Sequence, residues 1–171
     1  AGAESCQECH EDNYHGWSQH PHRFMSSMAT KEFVLGDFSG NATIEYQGGI
    51  GRFYMEGDKY RMKLERGGKT WTYAVNRTIG SRFTQYYIGK LIDGNASYES
   101  MRRAVDHVLP LGYWIDEKQW VPTVHVFRER QLDGDETDAF ENDQVMEYDA
   151  VCSDCHNTYP AGDRLIRQTG W

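Results

Sequence analysis

All four cysteines of the chain lie in two segments of one form, Cys6-Gln7-Glu8-Cys9-His10 and Cys152-Ser153-Asp154-Cys155-His156. No other feature narrows the possible structures as much. The spacing puts two thiols one helical turn apart, with an imidazole beside the second. Two such thiols can add to the vinyl groups on one edge of a porphyrin, and the histidine then lies under the ring, in reach of iron. Moving either cysteine or the histidine by one position would lose that register. The motifs therefore predict two covalently attached haem c groups, held through Cys6, Cys9, Cys152 and Cys155, with His10 and His156 as proximal iron ligands.

Three other chemistries use paired cysteines. Zinc ribbons space their pairs by roughly 15–20 residues, whereas 142 residues lie between Cys9 and Cys152. Zinc also gives no reason for a histidine after each pair. A thioredoxin-like redox pair belongs in a βαβ context, and the sequence shows none. Structural disulfides leave the histidines unexplained: with 7 histidines in 171 residues, finding one after both motifs by chance has odds of roughly one in several hundred.

The length fits a single domain spanning 1–171, alone or within a longer multihaem polypeptide. Acidic residues outnumber basic ones, 26 to 18, for a net charge of −8. Such a surface repels nucleic acid and anionic lipid and favours a partner with a basic docking face. No apolar run is long enough to span a bilayer. The chain opens on small residues, Ala1-Gly2-Ala3, like a mature end left by signal cleavage. Export to the periplasm or the cell exterior is the expected location.

The expected fold class is α+β, an antiparallel β meander flanked by N- and C-terminal helical haem-binding segments. Asp12 to Ser18 and Phe24 to Phe33 have helical composition. From Asn41 to about Lys90, short β-branched and aromatic runs alternate with glycine turns: Thr43 to Tyr46, Arg52 to Met55, Tyr60 to Leu64 and Thr70 to Val75. Tyr60, Met62 and Leu64 alternate with Arg61 and Lys63, which gives one buried and one wet face. Phe83 to Ile88 and Val121 to Phe127 read as further strands, with Asp93-Gly94-Asn95 as a turn, and Arg102 to His107 fits either helix or strand. Asp133 to Asp143 reads as a solvated acidic loop, and Ala139 to Val151 as a helix leading into the second motif. The meander spaces the two terminal segments, and electron transfer favours an arrangement that holds them close. Asn41, Asn76 and Asn95 begin glycosylation-type triplets, a pattern that arises often by chance.

The segment from Cys6 to Met25, with Tyr14, Trp17 and His22-Arg23-Phe24-Met25 after the first motif, resembles the head of multihaem c-type cytochromes. In those proteins the motif is followed by a tryptophan and then a distal histidine. Val34-Leu35-Gly36-Asp37-Phe38, Ile79-Gly80-Ser81, Gln85-Tyr86-Tyr87, Leu109-Pro110-Leu111, Trp120-Val121-Pro122 and Cys152 to Thr158 are similar to further landmarks of that family, in the same order. Relatives are often fused to tetratricopeptide repeats. They also often carry histidines just after the Ile-Gly-Ser landmark, where Arg82 and Phe83 stand here.

The resemblance implies His22 as a distal iron ligand; His20 is the alternative, and a polar turn at His20-Pro21-His22 is the bland reading. For the other haem the choice is His125, whose neighbours Val124, Val126 and Phe127 suggest a segment near the core. His107 is the alternative, and a hydrogen-bonded core histidine explains the same facts. His15 packs or faces water, and Met25 and Met28 read as core residues at helical spacing.

With imidazoles on both sides of each iron, the expected function is electron transfer to other cytochromes or a reductase, and the chain reads as a carrier rather than an enzyme. The alternatives are a haem enzyme or gas sensor with one five-coordinate haem, using donors such as Arg82 or Tyr86, and a building block of a larger multihaem array.

Overall fold

A computed structural model describes residues 3–123, 138–143 and 145–152. Its centre is a nine-stranded antiparallel sheet. The strands are β1 (Ser26–Met28), β2 (Thr43–Tyr46), β3 (Gly49–Glu56), β4 (Lys59–Arg66), β5 (Lys69–Ile79), β6 (Thr84–Gly94), β7 (His107–Val108), β8 (Leu111–Trp114) and β9 (Gln119–Pro122). The main order is β2-β3-β4-β5-β6-β8-β9, with β1 added beside β5 and β7 beside β6. Among the described residues two short α-helices accompany it, α1 (Glu11–Gln19) and α2 (Met101–Ala104).

This corrects the expected α+β class. The chain is mostly antiparallel β, and its sheet curls almost into a barrel. Among the described residues, helical segments do not flank it on both sides. Phe24 to Phe33 holds the end of a 3-10 turn (Pro21–Phe24) and then β1. The described part of Ala139 to Val151 contains only one π-helical turn, Tyr148–Cys152. In both segments tertiary pairing overrides helical composition: Ser26 to Met28 find open partners on the β5 edge, from Ile79 to Arg77. Val121 to Phe127 begins in β9, and its remainder from Val124 lies outside the described residues.

Aromatic packing closes the sheet. Phe38 sits edge-on to Phe53, Tyr60, Tyr87 and Trp120 at ring separations of 5.0–5.9 Å. Phe53 of β3 stacks flat on Trp120 of β9 at 3.3 Å, so strands near opposite ends of the sheet share one core. Tyr60, Met62 and Leu64 point inward, as their alternation requires.

Register shifts between Val75 and Arg77 change the phase of β5. Trp71, Tyr73 and Val75 face the main core, whereas Ile79 joins Ile88, Val108 and Tyr148 in a separate apolar cluster on the outer face. An extra residue in one strand thus gives the outer face of β5, β6 and β7 an apolar patch. Met146, Tyr148 and Cys152 pack on it, and Ser26 of β1 reaches Tyr148.

The acidic segment before the second motif is not a solvated loop where it is described. Phe140 is 2% exposed and packs against Trp71 at 5.8 Å. It fills the space that Gly49 leaves by lacking a side chain. Arg66 pairs with Asp138 at 2.5 Å, Lys69 with Glu141 at 2.9 Å and Arg102 with Asp143 at 3.2 Å. Buried Arg102 also donates to the Phe140 carbonyl at 2.7 Å. The carboxylates serve as clamps around an apolar plug.

Candidate haem-binding sites

The first motif forms one helical turn. The His10 amide donates to the Cys6 carbonyl at 3.0 Å, and the Tyr14 amide to the His10 carbonyl at 2.8 Å, leading into α1. Cys6, Cys9 and His10 are exposed, and both thiols are free. Glu11 and Asp12 open the helix, where carboxylates favour the positive end of its dipole. The donor set fits haem attachment: two accessible thiols one turn apart, with an imidazole beside the second.

α1 buries none of its residues. Tyr14 and Trp17 lie 5.7 Å apart, and the Arg23 guanidinium stands 5.0 Å over the Trp17 ring. His15 is exposed and its Nε2 lies 3.1 Å from Gln19 Nε2. His20 caps the helix through its amide, which donates to the Trp17 carbonyl at 3.1 Å, and His22 follows in the 3-10 turn Pro21–Phe24.

Of the second motif, only Cys152 is described, at the end of the turn Tyr148–Cys152. Cys155 and His156 lie outside the described residues, as does His125. Cys152 is half-buried beside the outer apolar cluster, and burial pushes its thiol up from the ordinary range. The strand pairing of β7 extends to this segment. His107 bridges Glu147, the Val108 amide donates to the Met146 carbonyl at 3.0 Å, and the Tyr148 amide to the Asp106 carbonyl at 2.9 Å.

The two segments, far apart in sequence, meet here. Ser26 of β1 pairs with Ile79, and its Oγ lies 2.7 Å from Tyr148 Oη. Arg77 covers the Tyr148 ring at 5.2 Å. The turn between β5 and β6 stands at the same end, with the Gly80 amide donating to the Met25 carbonyl at 2.8 Å. Gly80 has φ +90° and runs against the Thr84 carbonyl, so a side chain there would be strained on both counts.

His107 is 2% exposed, and burial lowers its pKa despite the Val105 carbonyl 3.0 Å from Nδ1. It pairs with Gly89 and faces the Tyr73 ring at 6.0 Å, whereas its neighbour Val108 faces the cluster that holds Cys152. Successive strand residues point to opposite faces. His107 is therefore a core histidine whose ring lies on the opposite face of the sheet from the cluster that holds Cys152. Met28 also departs from expectation, being 55% exposed on β1.

Sequence reasoning missed Gln85. It is 1% exposed, and its Oε1 accepts from the Leu35 amide at 2.8 Å and from Tyr87 Oη at 3.0 Å. Its Nε2 donates to the carbonyls of Phe33 at 2.8 Å and Gly80 at 3.1 Å. One side chain thus fixes the 33–36 loop to the β5–β6 turn. A polar residue on the inward phase of an apolar strand was the available signal.

Among the described residues, no three His, Cys, Asp or Glu side chains converge to hold a bare metal ion, and no helix is long and apolar enough to cross a membrane. Comparisons of the chain with protein-family models, with curated proteins and with solved structures find no match.

Proposed function

We propose that this chain is a dihaem c-type cytochrome that transfers electrons outside the cytoplasm and exchanges them with other cytochromes or a reductase. The observation that carries this reading is the contact between Ser26 and Tyr148. It ties the segment that follows one Cys-x-x-Cys-His motif to the residues that lead into the other. That link favours two terminal segments held with respect to each other, as electron transfer between two haems would need. Resemblance to multihaem cytochromes supports the same reading.

Haem, when bound, supplies a one-electron iron couple. The chain's part is to hold and tune it. Cys6 and Cys9 anchor one group and Cys152 with Cys155 the other, while His10 and His156 ligate the metal. Tyr148 and Met146 pack on the Ile79 cluster beside Cys152 and keep water from that side. His22 and His125 are proposed as the distal ligands. The acidic surface favours a docking partner with a basic face, and salt weakens such an encounter.

Intact-mass analysis of protein matured in a haem-attaching export system tests this directly. Two haem additions, with low-spin spectra for both irons and no rapid carbon monoxide binding to the ferrous protein, are expected. Bare polypeptide, or zinc in place of iron, would refute the proposal; one iron that binds carbon monoxide would refute saturation of both.

A further inference from the structure

Rings and guanidinium groups share one surface between the end of α1 and the β5–β6 turn. At its centre is a cleft of about 560 Å³ walled by Phe24, Phe33 and Leu35. Phe24 and Phe33 stand 6.0 Å apart. Gln85 holds the walls in place, because it bonds both the Phe33–Leu35 backbone and Gly80 at the base of the turn. The apolar surface does not stop at the rim: Leu35 is 42%, Phe83 61% and Trp17 39% exposed. Arg82, in the lining, stands over the Phe83 ring at 5.1 Å. Arg23 stands over the rings of Phe24 at 5.2 Å and Trp17 at 5.0 Å, which links them into one patch. Single apolar residues on a surface are ordinary, but a contiguous group of them marks a contact site.

Charge indicates what such a site would receive. The chain as a whole carries −8. Yet among the described residues neither Arg23 nor Arg82 pairs with a carboxylate. Glu32 is the one acid among the described residues of the lining. Two arginines against one glutamate leave a cationic patch on an acidic molecule. Stacking on a ring engages the face of a guanidinium and leaves its in-plane donors for a carboxylate.

We infer that this patch docks a partner protein through a segment that presents apolar side chains flanked by carboxylates. The apolar side chains enter between Phe24, Phe33 and Leu35, and the carboxylates meet Arg82 and Arg23. The exposed rings beyond the rim favour a protein segment over a small molecule, which a site of its own would bury almost whole. The inference goes beyond the electron-transfer reading, in which the net charge selects a partner with a basic face. It gives the molecule a second docking face of opposite polarity, at the end of α1 away from the first motif.

Calorimetric titration of the mature protein with two synthetic peptides tests this. One peptide carries a phenylalanine and a leucine among four glutamates; the other keeps the glutamates and has serine in place of both apolar residues. The first should bind one-to-one with a Kd below about 1 mM at low salt and weaken as salt rises. The serine peptide should bind at least about tenfold more weakly. Arg82→Gln should weaken the first peptide about tenfold, and Phe83→Glu should bring it below detection. Both side chains are exposed, so each variant should keep the parent's circular dichroism. Lys59→Gln, at the start of β4 and outside the patch, should bind as the parent does. Failure of the first peptide to saturate, equal binding of the two peptides, or parental affinity in Arg82→Gln would overturn the inference. An equal loss in Lys59→Gln would reduce the effect to net charge and overturn it as well.

Discussion

Replacing Phe140 with alanine tests whether the segment before the second motif is fastened by a plug. The ring is 2% exposed, edge-on to Trp71 at 5.8 Å and under the Arg66 guanidinium at 4.6 Å. A buried phenylalanine removes about 150–250 Å² from water. At about 25 cal/mol per Å² that gives about 4–6 kcal/mol, an upper bound because unfolded chains already bury some surface. Measured losses for such truncations run about 3–5 kcal/mol, so about 4 kcal/mol is expected, with a fall in Tm of about 8–16 °C for a domain of this size. Urea unfolding of the haem-loaded protein would measure the loss. Amide exchange at Tyr148, whose N–H donates to the Asp106 carbonyl, would report whether the segment opens locally. Gly49→Val should expel the same ring, and the double variant should cost much less than the sum. A loss below about 1 kcal/mol with unchanged exchange at Tyr148 would refute the plug.

Tyr148→Phe removes only the hydroxyl contact with Ser26 and should cost about 0.5–1.5 kcal/mol by urea unfolding; a neutral result would mean that the contact does not fasten the two segments. His107 is held neutral by burial, so its folded pKa lies below the unfolded value of about 6.5. Its contribution to stability is complete above that value and is lost as pH falls toward the folded one. Melting temperature should therefore decline from pH 7 to 5 less steeply in His107→Gln, and parallel curves would refute this. Burial alone would raise the Asp138 carboxyl, but Arg66 and the amides of Phe140 and Glu141 hold it below the ordinary range. That contribution is present above about pH 3.9 and fades as pH falls through the lower folded value. Exchange at Tyr148 should rise over that window in the parent and be already elevated at neutral pH in Arg66→Gln.

Local pattern was legible where strands face water on one side. The runs Thr43 to Tyr46 and Tyr60 to Leu64 lie in strands because alternation of apolar and charged residues has only one satisfactory burial. It was not legible where a segment borrows its partner from far away. Ser26 to Met28 carries no strand signal of its own and becomes β1 because β5 has an open edge. Ala139 to Val151 reads as helix in isolation, yet Phe140 gains more from the pocket beside Gly49 and Trp71 than from helical propensity. Asp138 and Asp143 look like solvated acids until Arg66 and Arg102 are seen beside them.

The haem attachment proposed for this chain rests on sequence alone, since two thiols and an imidazole at set spacing carry their geometry within five residues. Which iron ligands lie on the far side could not be fixed that way, because a distal histidine is chosen by the face and end of the sheet that carries it. His107 shows the difference: its apolar neighbours suit a ligand, but strand pairing turns its ring into the core and Val108 toward Cys152. The contact between the segment after the first motif and the segment before the second was likewise a tertiary decision. It depends on a shifted register in β5, an outer apolar patch and one hydroxyl pair, and none of these is encoded within a local window of sequence.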